Sequence, residues 1–315
     1  MNILITQKLP LDPYKYIQHC NIHYNDCETP IEQNRLHELI ADLDGILTTV
    51  VTKIDKSLLN KANRLKIISN YGVGYDNIDV AYAKERNIIV TNTPYVLTES
   101  TAQIALILIL TLSRKIIEAH KYTTNKKFDI WQPTLFLGDD LYNSTVGIYG
   151  FGRIGQRLAQ LLSAFNVNIV YYSRTKKRHE ELLLNARYVE FTELLKISDF
   201  LIITAPKSNT TYHRFTLKEF KLMKKNAYII NVGRGDIIKE DDLIKALKKD
   251  HIKGAGLDVY EREPLISEEL IKMNNVVLLP HIGSATINTR TAMAELCFQS
   301  LNDVLFKNIK PWNII

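Results

Sequence analysis

The sequence predicts an α/β protein of two doubly wound domains, each a parallel sheet with helices on both faces. Three observations carry this expectation. The chain has 315 residues, which at about 150 residues per domain makes two. Its 46% hydrophobic content suffices for substantial cores, which excludes small stapled scaffolds and disorder. Short apolar segments alternate with helix-length periodic segments along nearly the whole chain, the habit of strand-helix-strand units.

Taken in order, residues 2–6, 43–49 and 65–69 read as strands of a smaller unit, the last running into the turn Tyr71-Gly72-Val73-Gly74. Residues 21–24 are compatible with a further strand. A helix opens near Thr98, whose hydroxyl is placed to cap it, with Glu99 in the first turn. Its apolar run at 104–112 falls short of the roughly 20 residues that cross a bilayer, so it reads as a buried helix connecting two domains. A larger series begins at Thr145, with strands at 146–149, 168–172, 200–204, 228–232, 255–258 and 276–279. Residues 285–306 read as one long helix that returns to the first domain. The expected domains are residues 1–98 with 286–315, and residues 99–285. No internal repeat or low-complexity tract interrupts this plan.

Charge and cysteine usage narrow the function. Lys and Arg number 40 against 34 Asp and Glu, so the net charge of +6 is spread thinly. The pI of about 9.0 is not accompanied by a long basic run, only by clusters at 176–178 and 224–225, so anionic small molecules are expected rather than nucleic acid. Cys20, Cys27 and Cys297 form no CxxC pair, which argues against a disulfide framework and for a reducing, cytoplasmic setting. The opening MNILITQKLP lacks the basic region and cleavage site of a secretory signal, and no membrane partner is expected. His19 and His23 are four apart near Cys20 and Cys27, but strand spacing fixes no set of four ligands, and no metal is expected.

Gly150-Phe151-Gly152-Arg153-Ile154-Gly155 is a GxGxxG motif that follows the strand at 146–149 and opens an amphipathic helix running through residue 165. That placement lets backbone N–H groups at a helix N-terminus hold a pyrophosphate, which makes the larger domain a Rossmann dinucleotide-binding domain. The next strand ends at Tyr172-Ser173-Arg174-Thr175, where an NAD-preferring site usually carries Asp or Glu about 20 residues beyond the glycines. There is no acid. Ser173 and Thr175 offer hydroxyls, Arg174 suits a 2′-phosphate, and Lys176 and Lys177 add positive potential. NADP is therefore expected over NAD, with an unanchored NAD ribose as the alternative.

Asn231-Val232-Gly233-Arg234-Gly235-Asp236 sets Arg234 at the carboxyl edge of the larger sheet, where a guanidinium suits a substrate carboxylate and glycines permit close backbone approach. Asp258-Val259-Tyr260-Glu261-Arg262-Glu263-Pro264 and Pro280-His281-Ile282-Gly283-Ser284 each follow a predicted strand and reach the same edge. A carboxylate hydrogen-bonded to an imidazole favours its charged form, and such a pair suits proton donation during carbonyl reduction.

Together these motifs and Tyr71-Gly72-Val73-Gly74 resemble the D-isomer-specific 2-hydroxyacid dehydrogenases over residues 43–305, and the Ser-Arg-Thr turn is most similar to the glyoxylate/hydroxypyruvate reductase branch. The resemblance implies a smaller flavodoxin-like substrate domain beside the Rossmann domain. It implies that Arg234 binds the substrate carboxylate and carbonyl, that His281 is the general acid/base, and that Glu263 orients and charges His281. Backbone N–H groups of Val73 and Gly74 are to grip the carboxylate. Asp258 is to hold the nicotinamide carboxamide, Pro206 to pack on the adenine, and Thr101, Val232 and Gly283 to line the cofactor. Relatives are commonly homodimers joined through the helix and loop after the domain crossing. Trp131 in that loop either reaches the partner's site or fills its own subunit's core.

The expected activity is reduction of a short 2-oxo acid, glyoxylate or hydroxypyruvate, to the 2-hydroxy acid. Two rivals stand beside it: an NAD-dependent D-lactate- or phosphoglycerate-type dehydrogenase, against which the missing acid after Tyr172 speaks, and a non-catalytic dinucleotide-sensing regulator, against which the Arg234, Glu263 and His281 set speaks.

Overall fold

The computed structural model describes residues 1–315, and the chain divides into two compact units, Met1–Leu97 with Ser284–Ile315, and Thr98–Gly283. The first unit holds β1 (Asn2–Ile5), β2 (Asn21–Tyr24), β3 (Gly45–Thr49), β4 (Ile67–Tyr71) and β5 (Ile89–Thr91). They form an all-parallel sheet in the order β2-β1-β3-β4-β5. Side chains alternate across it, as strand geometry requires. Leu4, Ile46 and Ile68 pack with Leu36, Leu58 and Ala83 of the helices Gln33–Leu39, Lys56–Asn60 and Val80–Glu85. Ile3, Ile5, Leu47 and Ile67 point the other way, against Ala294, Cys297, Phe298 and Leu301 of the helix Ile287–Asn302. Phe298 is 1% exposed, and truncating such a ring costs about 3–5 kcal/mol.

That closing helix is shorter than the sequence pattern suggests. Thr286 caps it through its side chain, which accepts from Thr289 N–H, and its last turn widens into a π-helical segment at Asp303–Lys307. The chain then runs beside β5, where Ile314 bridges Thr91 antiparallel and Ile315 N–H donates to Val90 O at 3.0 Å.

The second unit holds β6 (Thr145–Tyr149), β7 (Asn168–Tyr172), β8 (Ala186–Tyr188), β9 (Phe200–Ile203), β10 (Tyr228–Asn231), β11 (Gly254–Leu257) and β12 (Val276–Leu278). Its order is β12-β11-β10-β9-β6-β7-β8, all parallel. The chain builds β6, β7 and β8 in one direction and then crosses back to β9 on the other side of β6. The switch point of this doubly wound sheet therefore lies at the carboxyl ends of β6 and β9. Helices Thr98–Ser113 and Arg153–Leu162 cover one face through Ala105, Leu108, Leu112, Leu158 and Leu162. Helices Phe191–Ile197 and Glu240–Lys248 cover the other through Leu194, Leu195, Leu243 and Leu247.

No single helix is long and apolar enough to cross a membrane, and the consecutive pair Thr98–Ser113 and Ile116–Thr124 is bent by 64°. The helix after the glycine motif stops at Leu162, earlier than expected. A 3-10 turn at Ser163–Phe165 follows, and Asn166 closes it in the left-handed region at φ +53°, a conformation Asn tolerates well. Trp131 is 75% exposed, which overturns the reading that it fills its own subunit's core. The loop that carries it has no helix or strand to press the ring inward.

Candidate active site

The glycine motif sits at the switch point. Gly150 adopts φ +98°, and a Cβ there would lie 2.6 Å from Ala205 N, so β6 can turn over β9 only without a side chain. A Cβ at Gly152 would meet nothing within 4 Å, which leaves open space over the start of the helix Arg153–Leu162. No side chain caps that helix, so no capping group competes with an anion for its positive dipole end. These residues fit a dinucleotide pyrophosphate.

At the end of β7, Ser173 Oγ donates to Thr175 O at 2.7 Å, which closes the turn and turns Arg174 outward. Arg174, Thr175 and Lys176 are exposed, and Lys176 Nζ rests 4.6 Å above the Tyr188 ring. No carboxylate follows β7 before Glu180. Pro206 is exposed after β9, its carbonyl accepting from Thr211 Oγ1 at 2.9 Å. Val232 is 6% exposed and packed in the core, so only its backbone can meet a ligand.

Arg234 stands in the loop after β10. Asn231, fully buried, pins that loop from both ends of its amide. Nδ2 donates to Arg234 O at 2.8 Å, and Oδ1 accepts from Gly233 N–H at 3.0 Å. Arg234 Nη1 donates to Gly233 O at 2.8 Å. Gly235 is pressed against the next loop, since a Cβ there would lie 1.8 Å from the Tyr260 carbonyl carbon. Tyr260 N–H in turn donates to Glu263 Oε1 at 2.9 Å. The arginine loop and the glutamate loop are thus in direct backbone contact.

His281 Nδ1 lies 2.8 Å from Glu263 Oε2. Burial pushes the Glu263 carboxyl up, but the hydrogen bond and charge of His281, the Tyr260 N–H and the nearby Arg234 guanidinium outweigh it and hold the carboxyl below the ordinary glutamate value. Glu263 is therefore a carboxylate, Nδ1 of His281 carries the proton it accepts, and Nε2 is left for chemistry. The imidazole side chain is 38% exposed. His281 adopts φ +53°, uncommon for a residue with a side chain.

Asp258 braces that conformation. Its Oδ1 accepts from Ile282 N–H at 2.7 Å and its Oδ2 from Gly283 N–H at 2.8 Å, while Thr101 Oγ1 donates to Gly283 O at 3.1 Å. Burial raises the Asp258 pKa, and the two N–H bonds and His281 only partly offset it. Asp258 thus reaches the histidine loop before any ligand does, a role its motif alone does not disclose. Asn231 and the Tyr260 N–H were likewise not singled out. The signal for Asn231 was a polar side chain ending an apolar strand just before Gly233-Arg234-Gly235.

Val73 and Gly74 lie in the turn after β4 in the other unit, where their N–H groups make no backbone hydrogen bond. No group of three or more His, Cys, Asp or Glu side chains could hold a metal ion.

Comparison with known proteins follows the same lines. The family model described as "D-isomer specific 2-hydroxyacid dehydrogenase, NAD binding domain" matches residues 106–283. A glyoxylate reductase of Thermococcus litoralis is 47% identical over 305 residues, 95% of this chain and 92% of that protein. A protein of Thermus thermophilus superimposes with a TM-score of 0.92 at 34% identity, over 100% of both chains. An NADPH-dependent glyoxylate/hydroxypyruvate reductase from Sinorhizobium meliloti, in complex with NADP and malonate, gives a TM-score of 0.86 at 31% identity, over 100% of this chain and 96% of that one.

Proposed function

The chain belongs to the D-isomer-specific 2-hydroxyacid dehydrogenases, NAD(P)-dependent oxidoreductases, and from that premise we propose that it reduces glyoxylate and hydroxypyruvate to their 2-hydroxy acids, with NADPH preferred to NADH. The observation that carries the reading is the His281 and Glu263 pair at 2.8 Å, with the Arg234 loop packed against the glutamate loop through Gly235 and Tyr260.

When bound, the reduced nicotinamide supplies a hydride to the carbonyl carbon of the 2-oxo acid. His281 Nε2–H gives the proton to the carbonyl oxygen, and solvent returns one to the ring. Glu263 holds Nδ1–H throughout, so the ring keeps one orientation while its charge changes. Arg234 pairs with the substrate carboxylate and stabilises the negative charge that grows on the oxygen. N–H groups of Val73 and Gly74 hold the carboxylate, which makes Met1–Leu97 with Ser284–Ile315 the substrate domain.

Gly150, Gly152, Arg153, Ile154 and Gly155 hold the pyrophosphate, Thr101 and Asp258 the nicotinamide end, and Pro206 the adenine. The Arg174 guanidinium after β7, with no carboxylate beside it, supports NADPH over NADH. Exposed Phe128, Ile130, Trp131 and Leu137, beside Ile116 and Ile117 of the helix Ile116–Thr124, support a homodimer through this stretch. The free cysteines, Cys27 exposed among them, support a reducing cytoplasm.

Initial rates with glyoxylate, hydroxypyruvate and pyruvate, each with NADPH and NADH, test the reading. The first two substrates with NADPH are expected to be fastest, and a strong preference for pyruvate or NADH overturns the substrate or coenzyme assignment. His281→Gln is expected to lower kcat by about 10²–10⁴-fold with coenzyme binding retained. Undiminished turnover removes the histidine from the reaction.

A further inference from the structure

We propose that Asn70 and Asn92 are positioning residues that turn the N–H groups of Val73 and Gly74 toward the substrate carboxylate; this rests on the reading that those two amides grip it. In a trans peptide the C=O of one residue and the N–H of the next point in opposite directions. Whatever holds the carbonyls of residues 72 and 73 therefore aims the N–H groups of residues 73 and 74.

Three consecutive carbonyls are held. Asn70 Nδ2 donates to Gly72 O at 3.2 Å and to Gly74 O at 2.8 Å. Asn92 Nδ2 donates to Val73 O at 2.8 Å, and Thr93 N–H to Gly72 O at 3.1 Å. With the carbonyls drawn toward β4 and β5, the opposed N–H groups of Val73, Gly74 and Tyr75 face away, and none donates to a backbone carbonyl. Successive outward N–H groups make an anion-binding concavity.

The two asparagines are themselves fixed. Asn70 is fully buried, and its Oδ1 accepts from Asn77 Nδ2 at 3.4 Å, a group that also donates to Thr49 O and Thr52 O. That arrangement leaves Asn70 Nδ2 for the turn. Asn92 is bracketed by Asn313, whose Nδ2 donates to Asn92 O at 2.6 Å and whose O accepts from Asn92 N–H at 3.3 Å. Ser300 Oγ donates to Asn313 Oδ1 at 3.2 Å. The last residues of the chain thereby steady the side chain that orients the turn.

The test is Asn92→Leu, which keeps the branching and removes the donor without adding charge, with Asn70→Ser shortening the side chain so that no donor reaches the turn. Both are measured for glyoxylate KM and kcat, for inhibition by oxalate as a non-reacting carboxylate probe, and for NADPH binding by fluorescence. The expected result is a rise of about tenfold in KM and in the oxalate inhibition constant, one hydrogen bond's worth of alignment, with kcat and NADPH affinity little changed. Asn92→Gln, which keeps an amide donor, is expected to recover part of the loss. Folded variants with unchanged KM and oxalate inhibition overturn the proposal. So does a loss shared equally by KM, kcat and NADPH binding, which marks a merely structural role. Val73→Pro, which deletes one N–H, separates the two layers. If it leaves oxalate inhibition untouched, the carboxylate grip itself fails. If it weakens oxalate while Asn92→Leu and Asn70→Ser do not, only the positioning role fails.

Discussion

Replacing Gly235 by alanine probes whether the contact between two loops sets the geometry of the site. The added Cβ would lie 1.8 Å from the Tyr260 carbonyl carbon and 1.9 Å from its oxygen, against the 3.4 Å at which ordinary contact begins. The backbone on one side must move by about 1.6 Å, the difference between those distances, because both clashing atoms belong to main chain and no rotamer change relieves them. Arg234 adjoins the moved glycine, and Tyr260 N–H anchors Glu263, so the shift separates the guanidinium from the His281 and Glu263 pair. A misplacement of about 1 Å at reacting groups costs on the order of 10²-fold in rate, about 2.7 kcal/mol of transition-state stabilisation. Overpacking should also lower stability by about 1–3 kcal/mol. The assay is kcat/KM on glyoxylate with NADPH, beside coenzyme affinity and thermal unfolding. A folded Gly235→Ala protein within about threefold of the parent in kcat/KM would refute the argument that loop contact positions the arginine.

Two further substitutions test the assigned roles. Glu263→Gln preserves the shape of the hydrogen bond but removes its charge, and kcat should fall by about 10²-fold or more. Because the folded Glu263 carboxyl lies below its ordinary value of 4.5, it contributes stability that is present above that value and lost as pH falls through the folded one. The parent should therefore weaken more steeply than Glu263→Gln on acidification, read as urea midpoints; parallel curves contradict the assigned direction. Arg174→Asp places a carboxylate where a ribose hydroxyl is to lie and should shift preference from NADPH toward NADH. An unaltered ratio of kcat/KM between the two coenzymes removes Arg174 from coenzyme choice.

Most strands are legible in the sequence, the central ones most clearly because they are covered on both faces. β6, β9 and β10 are almost wholly buried and appear in the sequence as mostly apolar runs, whereas β3, equally buried, ends in Thr48 and Thr49. β5 and β8 are three residues long and pair along one side only, too short to show a period, and unlike the equally short edge strand β12 neither runs into a motif such as Pro280-His281 that marks its end. The site divides likewise. Arg234, Glu263 and His281 are legible as candidates because polar loops that follow strands of a doubly wound sheet share one edge. The roles of Asn70, Asn92 and Asn231 are not legible in the sequence because their work is done on backbone atoms, and an asparagine side chain does not announce which carbonyl it will hold.

The first unit is discontinuous in sequence, and this has a consequence for synthesis. Ile3, Ile5, Leu47 and Ile67 on one face of its sheet have their cover in Ala294, Phe298 and Leu301. The ribosome must therefore finish the whole of residues 98–283 before that cover exists. At ordinary elongation rates the nascent sheet waits roughly 10–40 s with an apolar side bare. The inserted unit, contiguous along the chain, can complete its own core in that interval, so residues 1–97, although made earlier, finish their packing later.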